Sequence, residues 1–135
     1  MAKETVIEVK DLYKRYGKTN AVDGISLKVM RGEVFAFLRP NGAGKTNTVE
    51  IIEGIRSATK GKVEMLGIDI AKNSDKLKSR MGVLPQEFSS FDKVTVKETI
   101  AFFSSLYSKH KNIEELMVLL GLKEHSKKLY QTLSG

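Results

Sequence analysis

VFAFLRPNGAGKT, residues 34–46, changes character twice over a short distance. Its first five residues are apolar throughout, as a strand covered on both faces must be. Val34 to Leu38 is therefore expected to be a buried strand. Arg39, Pro40, Asn41, Gly42, Ala43 and Gly44 follow as a loop rich in turn residues. From Lys45 to about Gly54 the apolar residues recur with helical spacing, which puts Val49, Ile52 and Ile55 on the inward face, with Gly54 as the stop. A buried strand running into a glycine loop and then a helix begins a βαβ unit, so the expected class is α/β.

The loop has a chemistry of its own. A triphosphate needs many hydrogen-bond donors in a small space, and backbone N–H groups supply them only where side chains are absent. Gly42 and Gly44 meet that need, flanked by Asn41 and Ala43. The start of the following helix adds its unpaired N–H groups and the positive end of its dipole. Lys45 brings a point charge able to reach the outer phosphates, and Thr46 offers a hydroxyl to Mg²⁺. This is the pattern of a phosphate-binding P-loop in its strand-to-helix setting. One position departs from G-x-x-x-x-G-K-[ST]: Arg39 stands where that pattern has glycine. An ordinary strand-to-helix turn with a solvated lysine is the plain alternative, and Pro-Asn-Gly-Ala-Gly-Lys-Thr in this context argues against it.

Upstream, VIEVKDL (6–12) alternates apolar and polar residues as a half-buried strand does, and Ile25, Leu27 and Val29 repeat the pattern, with Gly17 and Gly24 marking turns. Downstream, KVEML between Gly61 and Gly67 reads as a short strand with Val63 and Met65 on one face. Ser74 is placed to cap a short helix over DKLKSRM. MGVLP, 81–85, reads as a second buried strand ended by Pro85. Helices are expected over 96–107, capped by Thr95 with Ile100, Phe103 and Tyr107 inward, and over 112–121, capped by Asn112 and stopped by Gly121. In the second of these Ile113, Leu116, Met117 and Leu120 face inward, and a third helix is expected over 123–130.

With 135 residues and 41% hydrophobic content, the chain can form one modest core and is not a disordered segment. No apolar run approaches the ~20 residues of a membrane helix, and MAKETVIEVK has no apolar leader region, so secretion is not expected. The absence of cysteine excludes disulfides, thiolate zinc sites and a cysteine nucleophile, and fits a reducing compartment. The net charge of +7 is spread evenly, with a surplus of 4 basic residues in 1–60 (11 against 7) and of 3 in 61–135 (12 against 9). No basic run exceeds two residues, so nucleic acid is not an expected partner. His110 and His125 lack metal-ligand spacing, and Glu114–Glu115 reads as a solvated helix face.

Taken together, four places in the chain resemble the nucleotide-binding domain of ATP-binding cassette (ABC) transporters over essentially its full length. Tyr16, in LYKRYG, matches the aromatic that stacks on adenine in that family. RPNGAGKTNT matches the Walker A loop apart from Arg39 and Asn47, the latter standing where the family usually has Ser or Thr. Gln86, in VLPQE, matches the Q-loop glutamine that approaches Mg²⁺ and the attacking water. Leu133, Ser134 and Gly135 match the first three residues of the LSGGQ signature. IIEGIR and GKVEMLGIDI further resemble the drug and lipid exporters of the family.

The resemblance implies an ATP-binding subunit with ATP and Mg²⁺ as ligands. Tyr16, Asn41, Gly42, Ala43, Gly44, Lys45, Thr46 and Asn47 would bind the nucleotide, Thr46 and Gln86 the metal, and Gln86 would serve catalysis. It also implies a membrane permease and a second nucleotide-binding domain as partners, and a place at the inner, cytoplasmic face of the cell membrane. The expected arrangement is an incomplete P-loop NTPase core (33–60 and 71–86), an antiparallel β region (about 1–32 and 61–70) and a helical region (87–135). Nothing in the sequence matches the Walker B aspartate, the catalytic glutamate, the D-loop or the switch histidine of the family. The chain is thus expected to be the N-terminal part of such a subunit, cut within the signature and not hydrolytic alone. A non-catalytic nucleotide binder, a gene remnant and another kind of P-loop protein are the alternatives. Against the last, no N-K-x-D motif of a GTPase occurs, and a small kinase would need no Tyr16–Gln86–LSG series.

Overall fold

The computed structural model describes residues 3–38, 44–84 and 93–133. Two compact units divide the chain, Met1–Gly82 and Val83–Gly135.

The first unit is built on an antiparallel sheet. Strands β1 (Thr5–Tyr16) and β2 (Thr19–Met30) form a long hairpin closed at Gly17–Lys18, where Gly17 takes a positive φ of 55°. β3 (Lys60–Met65) pairs with the other edge of β1, and the short β4 (Ile68–Asp69) completes the order β2-β1-β3-β4. The alternating segments read from the sequence are therefore strands, and each runs longer than its apolar alternation.

β1 carries a bulge that explains its burial. Val9 and Leu12 are both buried, although an odd spacing puts residues on opposite faces of a regular strand. The register slips between Val9 and Leu12 against β2 and between Lys10 and Tyr13 against β3. Asp11 sits in the slip with φ 45°, and its N–H donates to Ser26 Oγ at 2.9 Å. The extra residue returns Leu12 to the core face. There Val9, Leu12, Val22, Val63 and Met65 meet Ile51, Ile70 and Leu77 from three helices. These helices are α1 (Lys45–Ile52), α2 (Ile70–Asn73) and α3 (Asp75–Lys78).

Several sequence expectations change here. Residues 34–38 form no strand, and Val34 and Leu38 are almost wholly exposed, with Phe35 also exposed. Residues 81–84 likewise form no strand, and Leu84 is exposed, while Met81 packs against the core. A strand needs a neighbour to complete its hydrogen-bond ladder, and among the described residues the sheet includes neither segment. On α1 the buried residues are Thr48 and Ile51, with Ile52 partly buried, whereas Val49 and Ile55 are exposed. The face that meets the sheet is one step round from the most apolar one. Ser74 caps nothing with its side chain. The chain is already helical there, and the cap lies earlier, where Asp69 Oδ1 accepts from Ala71 N–H at 3.0 Å.

The second unit holds α4 (Val96–Ser105) and α5 (Ile113–Leu119). Both predicted caps are present: Thr95 and Glu98 form a reciprocal capping box, and Asn112 Oδ1 accepts from Glu114 N–H. Gly121 ends α5 with φ 68°. The buried positions on α4 are Val96, Thr99 and Ser104 rather than Phe103, which is exposed and packs edge-on to Phe102. Met117 is fully buried on α5, while Leu120 is exposed. In place of a third helix over 123–130 there are two 3₁₀ turns, Lys123–His125 and Tyr130–Thr132.

The capping box supplies a test. Hydrogen bonds from the Thr95 hydroxyl and backbone N–H hold the Glu98 carboxyl below its ordinary range. A depressed folded-state value gives stability that is present above the ordinary Glu range and lost as pH falls through the folded value. Thr95→Ala is expected to destabilise the protein by about 1 kcal/mol at neutral pH. The gap between parent and variant should narrow as pH falls through the folded-state value of Glu98, as read from urea midpoints across pH.

Candidate functional site

The site grows from the junction between β2 and α1. Gly44 precedes α1 with φ 78° and ψ 16°, a left-handed conformation. It is packed so closely on β2 that a Cβ there would lie 1.8 Å from the carbonyl oxygen of Ala21. Its own carbonyl accepts twice from Thr48, from the N–H and from Oγ1, each at 2.9 Å. This satisfies the hydroxyl that Thr48 buries completely. Glycine offers no capping side chain and the first turn of α1 holds no acidic residue. Within α1, therefore, no acidic side chain answers the positive end of the helix dipole.

From this start the helix presents Lys45, Thr46 and Asn47 in sequence. Lys45 and Asn47 are half-buried and Thr46 is exposed. The end of β1 comes to meet them. The Tyr16 hydroxyl bonds to Asn47 Oδ1 at 2.9 Å, while 44% of the residue stays exposed. Two residues named separately by the sequence, the aromatic of LYKRYG and the asparagine of GKTN, are thus brought together.

Three further side chains, not indicated by the sequence, complete the cluster. Arg56 Nη1 donates to the Tyr16 hydroxyl at 2.5 Å, and its Nε donates to Glu50 Oε2 at 2.5 Å. The Glu50 carboxylate holds the Arg56 guanidinium still more firmly in its charged form. Lys14 Nζ lies 5.0 Å from the centre of the Tyr16 ring and donates to the Ser57 carbonyl at 2.7 Å. Asn47 and Glu50 lie three apart on a helix and so share a face, which is the signal that could have joined them. Arg56 lies beyond the glycine that ends α1, where helical periodicity gives no guide.

Arg39, Asn41, Gly42, Ala43, Gln86, Ser134 and Gly135 lie outside the described residues. Leu133 is described, partly buried at the end of the second 3₁₀ turn, with its N–H donating to the Tyr130 carbonyl.

The described residues thus set a lysine, a hydroxyl and an exposed aromatic ring about a glycine start to a helix. The family model described as ABC transporter matches residues 22–135, and the chain belongs to that family, as an ABC transporter ATP-binding domain. It is 37% identical over 125 residues to the probable multidrug ABC transporter ATP-binding protein YbhF of Escherichia coli, covering 89% of this chain and 22% of that protein. It is 33% identical over 135 residues to the linearmycin resistance ATP-binding protein LnrL of Bacillus subtilis, covering 96% of this chain and 43% of that one. The chain thus spans less than half the length of these relatives. A solved ATP-binding subunit of an ABC transporter has the same fold, with a TM-score of 0.83 at 23% identity, over 96% of this chain and 56% of that one. The α/β class expected from the sequence holds.

Gly44→Ala tests the junction. The left-handed backbone costs a residue with a Cβ roughly 1–2 kcal/mol, and the clash with the Ala21 carbonyl adds to that. The expected result is a loss of at least about 2 kcal/mol in urea denaturation.

Proposed function

We propose that this chain binds Mg-ATP as part of an ABC transporter ATP-binding subunit. The observation that carries the reading is the bond between Tyr16 and Asn47, which sets an exposed aromatic ring beside Lys45 and Thr46 at the helix start. The described residues fit the ligand. The ring serves as a platform for the base, Lys45 and the first turn of α1 meet the phosphates, and the exposed Thr46 hydroxyl is free of burial to meet Mg²⁺. Asn41, Gly42, Ala43 and Gly44 would hold the phosphates through backbone N–H groups, and Gln86 would serve the metal and the attacking water. Leu133, Ser134 and Gly135 begin the signature that covers a partner's nucleotide.

The partners of this reading are a membrane permease and a second nucleotide-binding domain, at the inner face of the cell membrane. Among the described residues no helix is long and apolar enough to cross a membrane. An export role draws support from relatives named for multidrug transport and linearmycin resistance. Within the domain we assign about 1–32 and 61–70 to the antiparallel region, 33–60 and 71–86 to the P-loop core, and 87–135 to the helical region.

Hydrolysis needs a group that polarises or orients water. The 135 residues offer Lys45, Thr46 and Gln86 for positioning but no residue matching the family's water-activating carboxylate. We therefore assign these residues binding without turnover on their own.

Lys45→Ala is expected to weaken ATP binding by about 1.5–3 kcal/mol through loss of a charge-assisted contact. Equal affinities in calorimetry would remove Lys45 from the site. Purified chain is expected to release no phosphate from ATP beyond the Lys45→Ala control. Release that disappears in that variant would show the chain to be catalytically sufficient.

A further inference from the structure

We infer that Asn47 is a positioning residue for the base platform, acting through the Tyr16 hydroxyl rather than on the phosphates. The inference rests on the proposed role of Tyr16. Four side chains form one chain of bonds: Glu50 accepts from Arg56, Arg56 donates to the Tyr16 hydroxyl, and that hydroxyl donates to Asn47 Oδ1. The two ends of this chain, Asn47 and Glu50, stand on α1, and the tyrosine in the middle stands at the end of β1. With the Arg56 N–H donating to it, the phenol oxygen has its own proton left to give, and Asn47 Oδ1 is placed to take it.

Tyr16 is the last residue of β1, next to the turn, and is 44% exposed. Lys14 Nζ and the Arg56 guanidinium lie 5.0 and 5.9 Å from the centre of its ring. The bond to Asn47 adds a direct tie from its tip to the helix that carries Lys45 and Thr46. Serine or threonine at position 47 has a shorter side chain than asparagine. The amide is therefore the feature of this chain that reaches the phenol.

The test separates base from phosphate. Calorimetry on the full chain compares Mg-ATP with magnesium tripolyphosphate, which has the phosphates and no base. Asn47→Ala is expected to weaken ATP about five-fold, the worth of one hydrogen bond, and to leave tripolyphosphate unchanged, which also shows the variant to be folded. Tyr16→Phe should give the same loss, and Asn47→Ala should add nothing in the Tyr16→Phe background. Equal losses for both ligands, or additive losses in the double variant, would overturn the role of Asn47 while leaving Tyr16 as the platform, provided Tyr16→Ala still weakens ATP. ATP affinity unmoved by Tyr16→Ala, or no ATP binding by the parent chain, would overturn the platform itself and this inference with it.

Discussion

The close approach of Gly44 to the Ala21 carbonyl is the contact on which the rest of the site depends. It is a backbone-to-backbone contact, so no rotamer can relax it, and only a residue without a Cβ fits. It fixes where α1 begins and the direction in which it leaves β2. Thr48 then repeats the constraint a turn later, with two bonds to the Gly44 carbonyl from a buried side chain. Ile51, a further turn-step on, locks the helix into the core beside Val22 and Leu12. Lys45, Thr46 and Asn47 owe their positions to these three residues and contribute little to the packing themselves.

The second support is the far end of β1. Leu12 is anchored in the core, but Tyr16 lies four residues on, where the strand has left it. The segment after α1 is stitched to this stretch by three bonds. Thr59 N–H donates to the Tyr13 carbonyl, Arg15 N–H to Thr59 Oγ1, and Lys14 Nζ to the Ser57 carbonyl. These bonds hold Arg56 within reach of the Tyr16 hydroxyl, which Asn47 meets as well. The sheet thus acts as a spacer, carrying the aromatic to the helix start from a hairpin whose tip is only the Gly17–Lys18 turn.

What the sequence made legible was local, and what it hid was relational. Glycine followed by Lys-Thr announces a left-handed helix start because glycine adopts it without the penalty of a Cβ. Thr95 with Glu98, Asn112 and Gly121 announce helix ends for the same kind of reason. Which face of α1 is buried was not legible from hydropathy. Thr48 outranks Val49 because a carbonyl one turn back satisfies its hydroxyl, and hydropathy scales treat that hydroxyl as unpaired. VFAFL announces burial, yet a strand also needs a ladder, and a ladder is a property of neighbours. The resemblance puts Asn47 among the nucleotide-binding residues, and nothing in the order of residues says that the end of β1 returns to meet it.

That bond divides the work of the Asn47 amide. The group is planar, and its oxygen and its NH₂ diverge from one trigonal carbon. Seating Oδ1 on the Tyr16 hydroxyl fixes the plane and so fixes the direction of the NH₂, which is a donor and never an acceptor. A carboxylate in the same place would set a negative charge at the positive end of the helix dipole, which a neutral amide does not. Asparagine therefore holds the aromatic without adding charge at the helix start. An aspartate of the same shape would accept from the tyrosine equally well but bring a negative charge to the end of the dipole where it had none.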